Sequence, residues 1–164
     1  MTATCTLVEQ SLLAELRLTQ TLTFLVERER EALQADEVET LATIVIEKEE
    51  CLNQLVHALA ESESAISAWG RELHVTNDDA TLEQVLTKVD RPTVIHLRML
   101  RAGARACLDE SRITSLGNQA LLRVAMERNS ALRDFLARSL TPLQSYDLRG
   151  LRSANDTHLM EWNG

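Results

Sequence analysis

Apolar residues recur along this chain in alternating steps of three and four, the spacing that places side chains on one face of an α-helix. From about Thr6 to Gln34, the residues Val8, Leu12, Leu16, Thr19, Leu22, Val26 and Leu33 form one such stripe. The segment QADE, Gln34 to Glu37, breaks the pattern and predicts a tight reversal. Asp36 is suited to cap the following helix by accepting a bond from a free backbone amide, and Glu37 and Glu39 suit the positive end of its dipole.

The second helix carries the most regular pattern. Val38, Leu41, Val45, Lys48, Leu52, Leu55, Leu59, Ser62, Ile66, Trp69 and Leu73 predict a coiled-coil-like seam with Lys48 and Ser62 as polar interruptions. A helix from Asp36 to Trp69 would be about 50 Å long at the α-helical rise. A short turn between two helices of this length predicts an antiparallel hairpin. Lys48 is expected to bury its stem and carry its ammonium to water. The other reading is a buried polar position that fixes helix register.

Gly70 to Asp79 reads as a loop, and a short helix from about Ala80 to Val89 follows it. Arg91-Pro92 marks a boundary, because proline is accepted in a first helical turn but not in a helix interior. The next proline is Pro142, so a long helix is expected from Pro92 to Leu140. Its stripe is Leu97, Leu100, Ala104, Cys107, Ser111, Thr114, Asn118, Leu121, Ala125, Arg128, Leu132 and Phe135. The middle of that stripe is small and polar, and Gly103 and Gly117 lie beside it, so the sequence leaves open whether the helix bends or breaks near Gly117. Thr141-Pro142 ends the helix. The reading is therefore all-α: an elongated antiparallel bundle or coiled-coil hairpin over residues 1–140, with a long C-terminal helix and a flexible tail over 141–164. The tail keeps Tyr146, Leu148, Leu151, Leu159, Met160 and Trp162. Both a poorly ordered end and a segment that folds on a partner fit that content.

Composition supports helices over sheets. Aromatics make up 3% of the 164 residues, with five Gly and two Pro, whereas strands draw on aromatics and their turns on Gly and Pro. The three cysteines, Cys5, Cys51 and Cys107, are far apart and form no CxxC pair, which points to a reducing cytoplasm. No apolar run approaches the roughly 18 residues needed to span a membrane, and the first residues lack the pattern of a signal peptide. The net charge is −8. Residues 1–90 carry 18 acidic and 6 basic residues, and residues 91–164 carry 7 and 11. Two halves packing with complementary charge explain this asymmetry better than a nucleic-acid footprint, which the scattered arginines and the lack of interleaved aromatics disfavour.

No reading of the sequence yields an enzyme. His57, His74, His96 and His158 have no partners at metal-ligand spacing, and no phosphate loop or nucleophile elbow is present. No cofactor or metal is expected. The carboxylates of EKEE, Glu47 to Glu50, read as a solvated helix face, because the Glu-x-x-His helix of a di-metal site is missing. HLRMLRAG, His96 to Gly103, faintly resembles a histidine phosphotransfer helix, but Met99 stands where the lysine would be and Gly103 comes too late.

Two stretches together resemble the FlgN family of flagellar export chaperones. In EREREALQADEVETLATIVIEKEECLNQL, Glu27 to Leu55, the matching residues are Glu31, Ala32, Leu33, Asp36, Leu41, Lys48, Leu52 and Leu55. In LGNQALLRVAMERNSALRDFL, Leu116 to Leu136, with YDLRG beyond it, they are Asn118, Leu121, Leu122, Asn129, Tyr146 and Gly150. Ser115 and Gln119 depart from the family's Asn and Gly. The resemblance implies a cytoplasmic chaperone without ATPase activity. It implies binding of the C-terminal region of the hook–filament junction proteins FlgK and FlgL through Leu121, Leu122, Ala125, Leu132, Phe135 and Leu136. It also implies delivery to the cytoplasmic domain of the export-gate protein FlhA through Tyr146 and Gly150. Ordinary bundle core is the competing reading of Leu121 and Ala125, and a self-associating coiled-coil scaffold is the competing reading of the whole chain. The sequence leaves open whether the chain is a monomer or a homodimer.

Overall fold

The computed structural model describes residues 3–75 and 80–140. The chain forms two compact units, Met1–Leu122 and Arg123–Gly164. Four helices run in order: α1 (Ala3–Gln34), α2 (Val38–Glu72), α3 (Leu82–Leu86) and α4 (Arg91–Leu140). No strand occurs among the described residues.

In the first unit α1 and α2 form the expected antiparallel hairpin. Thr4 bonds Glu72 near one end, Cys51 Sγ donates to Leu18 O at 3.4 Å in the middle, and Arg28 pairs with Glu47 at 2.7 Å near the turn. The turn differs in detail from its sequence reading. Asp36 does not cap α2; it closes α1 in the left-handed conformation, at φ 56°. Glu37 N donates to Ala32 O at 3.0 Å, the bond of a Schellman-type ending. The residue before α2 is Glu37, which makes no side-chain cap. Asp tolerates the left-handed region better than most residues, so termination of α1 outweighed initiation of α2 at this position. The far end of α2 closes similarly. His74 has φ 54°, Val75 N donates to Gly70 O at 2.9 Å, and Val75 packs on the core.

Helix α2 therefore runs past Gly70, where a loop was expected. A Cβ at Gly70 would stand 2.6 Å from Ala80 Cβ, so a glycine lets the α3 region approach α2. Helix α3 is shorter than its sequence reading and starts with a Thr81–Gln84 capping box. Asp90 holds the start of α4 by accepting from Thr93 N at 3.2 Å and Thr93 Oγ1 at 2.8 Å, and these bonds lower its pKa. Helix α4 continues through Gly117 as one helix, the point that the sequence left open. A Cβ at Gly117 would lie 3.2 Å from Nη2 of Arg30, the far end of a flexible side chain on α1.

Within the first unit α4 runs in the same direction as α1. His96 meets Glu9, Cys107 O meets Thr23, and Asn118 meets Val26. The result is an up-down-up three-helix bundle. One apolar cluster gathers Val8, Leu12, Ile66, Trp69, Val85 and Leu97 around α3. A second gathers Leu22, Leu25, Val26, Cys51 and Leu55 nearer the hairpin turn. Glu15, Thr19 and Ser62 are buried polar residues outside both clusters. Neither Glu15 Oε1 nor Ser62 Oγ has a hydrogen-bond partner of ordinary geometry.

The α1 stripe packs inward as read, with Val8, Leu12, Thr19, Leu22 and Val26 all buried. The α2 seam does so only in part. Leu55, Ser62, Ile66 and Trp69 are buried, but Val38, Val45 and Leu52 are exposed, and Ile44 and Cys51 take the inner positions. A strict seven-residue repeat drifts about 20° per heptad around an undistorted helix. Over this length the repeat cannot stay on one face unless the helices supercoil.

Candidate protein-binding surface

The stripe predicted on α4 positions the candidate residues. Leu97, Ala104, Ser111 and Asn118 are buried, and Leu100, Cys107 and Thr114 are partly buried. Its small polar middle meets matching groups on α1. Thr23 Oγ1 lies 2.9 Å from Ser111 Oγ and 3.2 Å from Cys107 O. These bonds satisfy hydroxyls that an apolar seam would leave unpaired.

Near the hairpin turn a single carboxylate ties three helices together. Glu29 on α1 accepts from Lys48 Nζ on α2 at 2.9 and 2.8 Å. It also accepts from Asn118 Nδ2 on α4 at 2.8 Å. Asn118 Nδ2 donates as well to Val26 O at 2.9 Å. The Lys48 and Glu29 side chains are only 19% and 17% exposed, so Lys48 pairs here and does not snorkel to water. Sequence reasoning did not single out Glu29, and no local pattern could have found it. Its partners lie 19 and 89 positions away along the chain.

An open pocket of about 250 Å³ adjoins this cluster, walled by Leu33, Leu41, Val45 and Leu122. Leu33, Leu41 and Lys48 come from one of the two stretches quoted above, and Asn118 and Leu122 from the other. The fold thus brings the two stretches together. Ser115 and Gln119, which depart from the pattern there, line the same pocket.

Past Asn118 most of the candidate residues on α4 are exposed. In the first unit these are Leu121 and Leu122. In the second unit Ala125 is partly buried, while Leu132, Phe135 (65%) and Leu136 are exposed. Tyr146 and Gly150 lie outside the described residues. Leu121 is 38% exposed, and Ala125, for which bundle core is also the competing reading, is partly buried.

No group of three potential metal ligands occurs among the described residues. His96 is exposed and lies 2.8 Å from Glu9, as a surface residue would. Burial raises the pKa of the Cys5 and Cys51 thiols, which keeps them protonated and poorly nucleophilic. Among the described residues no helix is long and apolar enough to cross a membrane. The arrangement offers apolar surface on a helix, which suits binding another protein.

A family model described as FlgN protein matches residues 1–154. No curated protein and no solved structure matches. The family match takes in the hairpin, the three-helix cluster at Glu29 and all of α4, and the chain belongs to the FlgN family of flagellar chaperones.

Proposed function

We propose that this chain is a cytoplasmic chaperone of flagellar type III export that holds the hook–filament junction proteins FlgK and FlgL by their C-terminal regions. The observation that carries the reading is the exposed apolar stripe on α4. Leu132, Phe135 and Leu136 spend large apolar side chains on solvent, with Leu121 and Leu122 preceding them on the same helix. Exposed apolar surface of this kind is the usual mark of a protein-binding site, and an amphipathic helix is a standard way to engage a partner helix. No chemical step is required. Delivery to the cytoplasmic domain of FlhA is assigned to Tyr146 and Gly150 on the resemblance alone.

Calorimetry with purified FlgK and FlgL C-terminal regions tests the reading. Leu132→Asp and Phe135→Asp are exposed-site changes, so the thermal melt should stay nearly unchanged while affinity falls at least about tenfold, roughly 1.4 kcal/mol. Unchanged affinity in both variants would refute the assigned surface. Tyr146→Ala should leave junction-protein binding intact and weaken binding of the loaded complex to the FlhA domain. Equal gate affinity in that variant would remove Tyr146 from the delivery step.

A further inference from the structure

The open pocket beside Glu29 combines apolar walls with one polar side. Leu33 on α1, Leu41 and Val45 on α2 and Leu122 on α4 supply the walls around about 250 Å³. Val45 and Leu122 are exposed, so these walls reach the surface. Glu29, Lys48 and Asn118 supply the polar side. All of these residues belong to the first unit. Apolar walls with a few fixed polar groups are the usual make-up of a site that receives a ligand.

The hydrogen bonds on the polar side do not close. Lys48 Nζ donates to both oxygens of Glu29. Asn118 Nδ2 spends its two hydrogens on Val26 O and Glu29 Oε2. Asn118 Oδ1 is buried and accepts no bond. Turning the amide over would not relieve it, because two acceptors already face Nδ2. The polar side therefore has a spare acceptor, while its two charges balance each other. An unpaired buried acceptor is costly, and a ligand that offers a donor recovers that cost. A charged ligand group would bring a charge with no partner beside a pair that is already matched.

We propose that this pocket receives one anchoring side chain of the exported junction protein: uncharged, with an apolar body and an N–H or O–H donor at its tip, of the tyrosine or glutamine kind. The inference rests on the proposed function and adds the chemistry by which the substrate is held. Leu122 joins the two, being both a wall of the pocket and one of the residues assigned to junction-protein binding. Leu121 is exposed beside it. A substrate helix lying along this part of α4 passes the pocket, and one side chain turned inward fills it. A buried anchor of this kind carries more of the binding energy than the surface around it. A site that hydrogen-bonds its ligand also rejects an analogue without the donor, so the pocket supplies selectivity that an apolar stripe by itself does not.

Calorimetry of the full chain with purified FlgK and FlgL C-terminal regions is the test. Val45→Trp fills the pocket from an exposed position on α2 and should lower affinity at least about tenfold with an unchanged thermal melt. Ser115→Phe fills it from α4 and repeats the test should Val45→Trp melt lower. Ile46→Trp, exposed and outside this pocket, should bind as wild type does. An alanine scan of the substrate region should find one uncharged, donor-bearing residue whose loss weakens binding to wild type by about tenfold or more and leaves binding to Val45→Trp unchanged. Wild-type affinity in both filled variants, with Leu132→Asp and Phe135→Asp still losing theirs, overturns the pocket and leaves the proposed function standing. A wild-type chain that binds neither region overturns both. A scan whose coupled residue is charged, or carries no donor, overturns the stated occupant and the inference with it.

Discussion

Glu15 offers the sharpest test of how this bundle is held together. Its carboxyl sits on α1 at 3% exposure, and its Oε1 lacks a hydrogen-bond partner. Burial raises its pKa. Ser62 and the positive charge of Arg101 oppose the rise, and Glu63 adds to it. The folded chain therefore holds the Glu15 proton at pH values where the unfolded chain has released it. Folding stability contributed by this group is complete below the unfolded carboxyl pKa, and it is lost as pH rises through the raised folded value. At neutral pH the group is a net liability. An unsatisfied buried acceptor costs about 1–3 kcal/mol, so Glu15→Leu, of similar bulk, should raise stability at neutral pH by about that amount. Glu15→Gln removes the titration while keeping the shape. Denaturant melts of wild type and both variants from acid to neutral pH give the assay. The advantage of each variant over wild type should grow as pH rises from the unfolded carboxyl range and then level off. A pH-independent difference, or a destabilised Glu15→Leu, would refute the account and show that the carboxylate is satisfied in the fold.

Three further outcomes follow from the packing. Leu55→Ala should cost about 2–5 kcal/mol in a denaturant melt, whereas the exposed Leu52→Ala should cost well under that; equal losses would contradict the drift of the α2 seam. Gly70→Ala should destabilise by about 1–3 kcal/mol because its Cβ would collide with Ala80, and a neutral or stabilising result would mean that the α3 region moves freely away. Asn118→Ala should lower stability by about 1–3 kcal/mol by deleting the donors to Val26 O and Glu29, and a double-mutant cycle with Lys48→Met should show coupling through Glu29; strict additivity would argue against the shared carboxylate.

The sequence by itself determined the helices, their order and the antiparallel hairpin. Those features depend on local periodicity and on a turn too short for any other connection, and both are written in neighbouring residues. The inward face of α1 and the α4 stripe as far as Asn118 were legible for the same reason. Only the tertiary structure decided which part of the α2 repeat is core, because two stripes of nearly equal pattern compete and the drift of a straight helix selects between them. Likewise, only tertiary structure joined Glu29, Lys48 and Asn118, whose bonds span 19 and 89 positions of chain. The role of Gly70 belongs to the same class, since its requirement comes from Ala80 across a loop. Periodicity states which residues share a face of a helix. What that face meets, whether another helix of the chain or solvent, is fixed by long-range packing, and that is why Leu97 and Phe135 carry the same sequence signal and end in opposite environments.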